Sequence, residues 1–540
     1  MGRIDRGSII ATNEAPATVT SAVTVPEERV AAVGRGVARA AVIIMLGNVF
    51  SRLLGFGRDA VTATLFGAGP QVDGYFTAYR IQTSIYDLLI SGVISAAFIP
   101  VFSAIRDDRE EFRRVGGTVL TITLIVMALA MGALELFTHD VIALLAPNSA
   151  PSVVQTGTTA LRLLGPAVVF LGASGVLTAL LYAKQRAIFP AFSPAIFNLS
   201  IVVAALALNR FLHINSLVVG VLGGAVAQVL LQLYGLRNVR LRLVLSLRDP
   251  RVRQIVRLIT PVFLGLIVTQ AQVLIDLRFA HNAGHNSLDY LTYATRIYQL
   301  PLGIVATAMS LASLPALSRL QGAAYRATLA RGLTITLMLI VPAVVACWVL
   351  AYPLIALAFR HGHFTVTDAQ QTADALRYYA PGLGFAALDQ LLIFAFYAKN
   401  DTKTPVVVGV ISILCYLVVA LATLHPLSFR GLALADSAKQ IAHATILYAL
   451  LRRWQGRIEG LELRGTLGKI LGAGAAMGGL CYAALRLTGA HWLTGTAHLL
   501  LFVMVVGGAG TFLYGLLLHW WRVPELAVLT GKLRGPLSRA

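Results

Sequence analysis

Long runs of apolar residues, separated by short polar segments, follow one another along almost the whole chain. One run, "VGGTVLTITLIVMALAMGAL" (115–134), exceeds the roughly 18 residues that a helix needs to cross a bilayer. Divided at turn and charge signals, the runs predict about fourteen membrane-spanning helices of roughly 20 residues each. Their approximate centres are residues 52, 88, 125, 168, 198, 226, 268, 303, 340, 386, 414, 440, 477 and 507. The pattern therefore predicts an all-α polytopic membrane protein.

Composition agrees with this class. Of the 540 residues, 57% are hydrophobic and 13% are charged, whereas soluble proteins carry about 25% charged residues. The net charge of +20 would suit nucleic acid, but most of the arginines lie in short segments between apolar runs, as membrane topology requires. We expect no nucleic-acid partner. The three cysteines lie far apart inside apolar runs and indicate neither a disulfide nor a metal site.

The basic residues also predict the orientation of the chain. They crowd the second, fourth, sixth and twelfth predicted loops, with six arginines between residues 237 and 253 alone, while the first loop (66–72) and the third (139–154) have none. By the positive-inside rule both termini lie in the cytoplasm. Residues 1–36 are polar and lack the apolar core of a signal peptide, so we interpret them as a disordered cytoplasmic tail.

The sequence repeats itself at an offset of 215 or 216 residues. "DGYFTAYRI" (73–81) matches "DYLTYATRI" (289–297), "IPVFS" (99–103) matches "LPALS" (314–318), and "YAKQRAIFP" (182–190) matches "YAKNDTKTP" (397–405). Each repeat holds six helices, an even number, so the two copies face the same way across the membrane. We therefore expect an N-terminal lobe (37–249), a C-terminal lobe (250–457), and an addition of two helices and a tail (458–540).

Several charged residues fall inside the predicted helices, where they are costly to insert. Arg52 and Arg58 lie on helix 1, Arg80 on helix 2 and Arg296 on helix 8, and Asp73 opens helix 2. Each arginine could reach an interface or pair with an internal carboxylate; alternatively, together they form a cationic cavity between the lobes. Because arginine binds phosphate oxygens bidentately and stays charged when desolvated, a pyrophosphate would be a suitable ligand.

Two acids in the C-terminal lobe raise a separate question. Asp276 is a lone carboxylate in helix 7, and it could be a coupling-ion or proton site, or a structural partner of Arg278 or of an inner arginine. Lys439 follows Asp436 by three residues on helix 12, which favours a structural ion pair.

"HGH" (361–363) has too few neighbouring ligands for a metal site. No enzymatic motif and no soluble domain large enough for an ATPase occurs, so we expect neither an enzyme nor a cofactor.

These residues resemble a known family. "SRLLGFGRDAVTATLFGAGPQVDGYFTAYRI", "YLTYATRIYQLPLGI" and "FRHGHFTVTDAQQTADALRYYAPGL…AFYAKNDTKTP" are similar to the MurJ (MviN) family of lipid II flippases, within the multidrug/oligosaccharidyl-lipid/polysaccharide flippase superfamily. The resemblance runs from about residue 40 to residue 455. It implies transport of lipid II, the peptidoglycan precursor, from the inner to the outer leaflet of the cytoplasmic membrane by a monomer surrounded by membrane lipids.

The resemblance also implies residue roles. The cavity arginines of the family match Arg52, Arg58 and Arg296, and its helix 2 acid and the basic residue seven positions later match Asp73 and Arg80. These residues would hold the pyrophosphate–sugar headgroup, and helices 13 and 14 would form a groove for the polyprenyl tail.

The sequence departs from the family pattern in three regions. Family helix 2 usually carries two arginines and a glutamate where this chain has Tyr86, Asp87 and Ser91, and the acid often found before the helix 8 arginine is Thr295. Asp276 matches the helix 7 acid of the family's sodium site, but helix 11 offers no Asn or Asp partner. Membrane potential, a proton gradient and a sodium gradient all stay open as driving forces.

Three other functions stand beside lipid II flipping as alternatives. The chain could flip another undecaprenyl-linked oligosaccharide, or it could be a drug or cation antiporter of the same superfamily. An antiporter for cationic drugs would need acids in the cavity, where this sequence places arginines. A non-transporting scaffold would have no need for several arginines at membrane depth.

Overall fold

The computed structural model of the protein describes residues 27–246, 248–456, 465–488 and 495–529. Fourteen long helices form most of this part of the chain, in which no strand occurs. We number them α1 to α14: Glu27–Phe66, Pro70–Ala104, Arg109–Leu136, Pro151–Ala183, Ile188–Leu212, Asn215–Gly235, Pro250–Asn282, Ser287–Arg319, Gly322–Val349, Val366–Tyr397, Lys403–Leu427, Phe429–Gln455, Thr466–Leu487 and Thr496–Trp520. Three short helices, Thr138–Leu145, Ala351–Phe359 and Pro524–Leu529, accompany them.

The described helices confirm the predicted class of fold, but they do not establish the number of spans. Ten of them are long and apolar enough to cross a membrane, and α7 makes an eleventh if its two parts, Pro250–Thr260 and Gly265–Asn282, count as one span bent by 53°. Helices α1, α8 and α12 are not among these, and each carries charged residues such as Arg52, Arg296 and Lys439. The count of fourteen spans therefore stays a prediction.

The two predicted repeats appear as two lobes, α1–α6 and α7–α12. Within each lobe the second helix packs on the fourth, the fourth on the sixth, and the fifth on the sixth. Unusual backbone conformations repeat as well: φ is positive at Gln185 (57°) and at Asn400 (59°), and again at His213 (47°) and Ser428 (55°). Non-glycine residues seldom adopt positive φ, so two such pairs at the offset of 215 confirm the repeat.

Helices α13 and α14 lie outside the repeat and pack on the C-terminal lobe. Met477 and Cys481 of α13 share a hydrophobic core with Val341 of α9 and with Phe502 and Tyr514 of α14. All three cysteines are free.

The first helix begins earlier than the sequence suggested. α1 starts at Glu27, inside the segment that we interpreted as a tail, because this stretch is rich in Glu, Arg and Ala, which favour helix, and has acids at its first positions. Residues 1–26 of the predicted tail, and residues 457–464, 489–494 and 530–540 of the predicted C-terminal region, lie outside the described residues.

We call the end of the bundle where α1 meets α2 the outer end, and the end where α6 leads into α7 the inner end, after the predicted orientation. Hydrogen bonds join the two lobes at the outer end. The His363 N–H donates to the Thr64 carbonyl (3.0 Å), and the Tyr293 hydroxyl donates to the Gly67 carbonyl (3.2 Å). Gly67 has φ of +70°, and a Cβ there would meet the His363 backbone, so glycine permits this approach. The lobes are closed at this end.

Candidate functional site: a cationic cavity between the lobes

A cavity of about 410 Å³ lies between α1, α2 and α5 of the N-terminal lobe and α8 of the C-terminal lobe. Its charged lining residues are three of the predicted arginines and one aspartate: Arg52, Arg58, Asp59 and Arg296. We call it the arginine cavity. Arg52 and Arg58, six residues apart on one helix, share the cavity because it also takes in Gly55 and Phe56 between them and so extends around α1.

Asp59 holds two of the arginines at once. One carboxylate oxygen accepts from Arg58 Nε and Nη2 (3.0 and 2.8 Å), and the other lies 2.7 Å from Arg296 Nε. Arg58 also donates to the Tyr79 hydroxyl (3.3 Å) and to Asn198 Oδ1 (3.1 Å). The Arg58 side chain is 11% exposed and the Arg296 side chain 29%. Arg58 is therefore anchored in the wall, while Arg296 faces the cavity.

Arg52 has a different environment. Its guanidinium packs against Gly303 of α8, where an added Cβ would collide with Nη1 and Cζ. In the described part of the chain no carboxylate lies within 4 Å of it. The positive charge of Arg52 therefore lies between the lobes without a carboxylate partner. The missing side chain at Gly303 makes room for its guanidinium.

The charge balance of the arginine cavity follows directly. Three arginines line it against one aspartate, so the described charged lining residues carry a net charge of +2, and only Arg52 lacks a carboxylate within 4 Å. Guanidinium groups keep their charge in any environment and bind anionic oxygens bidentately. The cavity is therefore suited to a doubly negative ligand.

Arg80 lies apart from the other arginines. It lines a second cavity of about 330 Å³, here called the Arg80 cavity, together with Asp276, Tyr379 and Asp436. Gln299 lines both cavities, so the two adjoin at α8. The structure thus brings Arg52, Arg58 and Arg296 together and separates Arg80 from them.

Asp276 lies at the contact of α7 with α11, where it accepts a hydrogen bond from the Tyr416 hydroxyl. Arg278, one of its predicted partners, instead donates to the Leu144 carbonyl. Lys439 and Asp436 form the expected ion pair at 2.7 Å. In the described residues no group of three or more His, Cys, Asp or Glu side chains could hold a metal ion.

Asp73 does not line either cavity. It lies at the outer end, beside Asp289 of α8, and borders a smaller cavity of about 120 Å³ with His281 and His285. The structure thus places Asp73 outside the arginine cavity and the Arg80 cavity, and its predicted role at a headgroup stays a prediction.

One buried pair of titratable side chains was not predicted from the sequence. Asp389 of α10 and His443 of α12 lie 2.5 Å apart, and His443 Nε2 is 3.2 Å from the Pro405 carbonyl. In the other lobe, the residues 215 positions earlier are Ser174 and Gln228, which share a neutral hydrogen bond of 2.9 Å. The offset of 215 relates Asp389 to Ser174 and His443 to Gln228, but it does not pair Asp389 with His443, so the sequence alone held no signal for this contact.

A surface groove of about 610 Å³ runs along α14. It is lined by glycines and apolar side chains: Val503, Met504, Gly507, Gly508, Thr511, Phe512, Gly515 and Leu516. An apolar face of this kind on a membrane helix suits a hydrocarbon chain.

Comparison with known proteins decides the family. The family model "Lipid II flippase MurJ" matches residues 62–503. The chain belongs to the MurJ family. A relative named "Probable lipid II flippase MurJ" from Vibrio cholerae is 28% identical over 530 residues, which cover 92% of this chain and 99% of the relative.

Solved structures show the same fold. "Lipid II flippase MurJ, inward closed conformation" superimposes with a TM-score of 0.75 at 22% identity, covering 87% of this chain and 98% of that one. An inward-facing multidrug resistance MATE transporter of the MOP superfamily reaches 0.64 at 16% identity, covering 76% and 96%. Membership of the MurJ family confirms the predicted resemblance and makes the protein an integral protein of the cytoplasmic membrane.

Proposed function

We propose that this MurJ-family chain carries lipid II from the inner to the outer leaflet of the cytoplasmic membrane by alternating access of its two lobes. The observation that carries the proposal is the arginine cavity, whose charged lining residues have a net charge of +2 where the lobes meet. The pyrophosphate diester of a polyprenyl-linked glycan carries two negative charges and offers oxygens in the geometry that guanidinium groups bind. Charge and geometry therefore agree with this class of cargo.

The residues take different parts in binding. Arg52 and Arg296 come from different lobes, so a pyrophosphate between them joins the lobes through its own oxygens. Arg58 and Asp59 keep Arg296 pointed at the cavity before cargo arrives. Since the outer end is closed by hydrogen bonds between the lobes, the headgroup enters from the inner side. The α14 groove takes the polyprenyl tail, which stays at the lipid boundary throughout.

The coupling site and the assembly are parts of the same proposal. Asp276 and Arg80 face one cavity beside the arginine cavity, so a cation or proton bound at Asp276 alters the field at the headgroup. Membrane potential acts on the charges of the same cavities, and a proton or sodium gradient acts through Asp276. The protein works as a monomer with both termini in the cytoplasm and catalyses no covalent step.

The competing function within the superfamily is a cation or drug antiporter, since a MATE transporter shares the fold. A net positive cavity repels cationic drugs.

The choice between lipid II and another undecaprenyl-linked oligosaccharide depends on the sugar and peptide, which Gln299 and Tyr379 of the Arg80 cavity would meet.

Complementation tests the proposed function. The gene should restore growth and cell shape to a bacterium depleted of its own MurJ-family flippase, and Arg52→Ala should abolish the rescue. Arg248→Ala changes an exposed arginine of the loop before α7 and is the matched control, which should rescue. Failure of the unmodified chain at normal membrane expression would contradict lipid II as the cargo.

A further inference from the structure

Two buried carboxyl groups face each other where the lobes close at the outer end. Asp73 belongs to α2 and Asp289 to α8, and they occupy equivalent places in the two sequence repeats. Their exposed fractions are 4% and 0%, and the two side chains lie within hydrogen-bonding reach of each other. The pseudo-symmetry of the lobes thus brings two acids together rather than an acid and a base.

The surroundings of this pair satisfy it only in part. Asp289 Oδ2 accepts from the Gly69 N–H (2.8 Å), and the backbone N–H groups of Asn286 and Asp289 face Asp73. In the described residues, Oδ1 of Asp73 and Oδ1 of Asp289 have no hydrogen-bond donor. No Lys, Arg or His nitrogen there lies within 4 Å of either carboxylate. Two full negative charges would have no cation to balance them.

Physical chemistry restricts the ionisation of such a pair. Two carboxylates in contact and away from water cannot both be ionised, as in the aspartic-protease dyad. A single proton between them removes the repulsion and supplies the hydrogen bond that the unpartnered oxygens lack. The closed contact is stable only if the pair holds that proton.

We propose that Asp73 and Asp289 share one proton while the outer end is closed, and that they release it to external water when the lobes separate there. The role in a transport cycle rests on the proposed alternating access, whereas the shared proton does not. On reclosing, the pair takes a proton back from the same side. No proton crosses the membrane, so the pair makes opening depend on external pH without coupling transport to a proton gradient.

His281 of α7 is a basic side chain that borders the same small cavity as Asp73. The Thr77 hydroxyl donates to the Asp73 carbonyl (2.7 Å), so it can only accept from His281 Nε2 at 2.7 Å. His281 Nδ1 lies 2.9 Å from the Ser149 hydroxyl, which can donate to it. The network is complete with a neutral imidazole, and His281 supplies no counter-charge.

The other titratable groups around the pair do not supply a positive counter-charge either. Asp368 of α10 adds negative charge, and it accepts a hydrogen bond from Tyr290 of α8 (3.2 Å). Tyr293 of α8 is bound to the backbone of Gly67, and His285 borders the adjoining small cavity.

The proposal fixes the sign of the pH dependence. The closed state binds one proton more than the open state, so raising the external pH favours opening. The ratio of open to closed molecules changes by up to about tenfold per pH unit where the pair titrates.

The test measures the separation of the lobes at the outer end in the absence of lipid II. A negative result would therefore overturn this proposal without bearing on the proposed cargo. Spin labels are placed at Gln155 on α4 and Gln370 on α10, two exposed residues at equivalent places near the outer ends of the lobes. In nanodiscs, with the native cysteines replaced, pulsed EPR should show a longer-distance population that grows from about pH 5 to about pH 9.

Asp289→Asn should abolish this response and keep the short distance at every pH, because the amide still accepts from Gly69 and donates permanently to Asp73. Asp289→Ser should abolish the response as well. The control Asp140→Asn, at an exposed acid of the same end, should respond as the parent does. His281→Gln should also keep the pH response, because His281 supplies no charge to the pair. An absent response in the parent, or an unchanged one in Asp289→Asn, overturns the proposal.

Discussion

Asp59→Asn should uncouple the two arginines that share this carboxylate. The Asp59 side chain is 3% exposed and touches Arg58 with one oxygen and Arg296 with the other. An asparagine of the same shape keeps one oxygen, so its NH2 group must face one of the two guanidinium groups, which also only donates. The substitution therefore removes the one anion of the arginine cavity and leaves a buried cation without its partner.

The structure gives the size of the effect. Removing one member of a buried ion pair costs about 3–5 kcal/mol. Arg296 keeps 29% exposure, so water replaces part of the lost contact, and we expect a loss of about 2–3 kcal/mol. The apparent melting temperature in detergent should fall by several degrees. Headgroup binding should not weaken, because the net charge of the charged residues that line the cavity rises from +2 to +3. Release, and with it the flipping rate, should slow.

Thermal unfolding and lipid II binding are measured together on the purified variant, with Asp140→Asn as the control for an exposed acid. An unchanged melting temperature would show that Asp59 does not couple the arginines. A loss of lipid II affinity as large as that of Arg52→Ala would show that the carboxylate supports the cargo directly, which contradicts the assignment of Asp59 as an anchor.

Three further experiments test other parts of the account. Gly303→Ala should displace the guanidinium of Arg52 and weaken lipid II binding severalfold with little change in melting temperature; wild-type binding would refute the close approach. Asp276→Asn should slow flipping in proteoliposomes under an imposed ion gradient while leaving lipid II affinity nearly intact, and an unchanged rate under every gradient would make this carboxylate structural. A cysteine at Ser152 should react with an impermeant thiol reagent from outside the cell and one at Arg109 should not, whereas the reverse pattern would invert the predicted orientation.

Local signals in the sequence were enough to predict the fold. The bilayer requires apolar runs of about 20 residues, and that requirement is visible in a single sequence. The offset of 215 recurs in the helix starts Ile188 and Lys403 and in the positive φ of Gln185 and Asn400. The number of spans is harder to predict from hydropathy, because helices such as α12 have charged residues that face the interior in place of apolar ones.

The site was predictable only in part, because spacing along one helix does not say which helix lies opposite. Arg52 and Arg296 meet at the same cavity as expected, but Arg80 faces Asp276 instead. Asp73 meets its own repeat partner, which no local pattern indicates.

The most direct test of the cationic-cavity mechanism is the rate of lipid II flipping by Arg52→Ala and Arg296→Ala in proteoliposomes. The variants are compared with Arg248→Ala at equal amounts of folded protein. The account predicts that both cavity variants lose flipping, that Arg→Lys at either position leaves a clear deficit because the ammonium lacks the bidentate fork, and that Arg248→Ala flips at the parental rate. Parental flipping by both Arg52→Ala and Arg296→Ala would show that these arginines are structural and would contradict the mechanism.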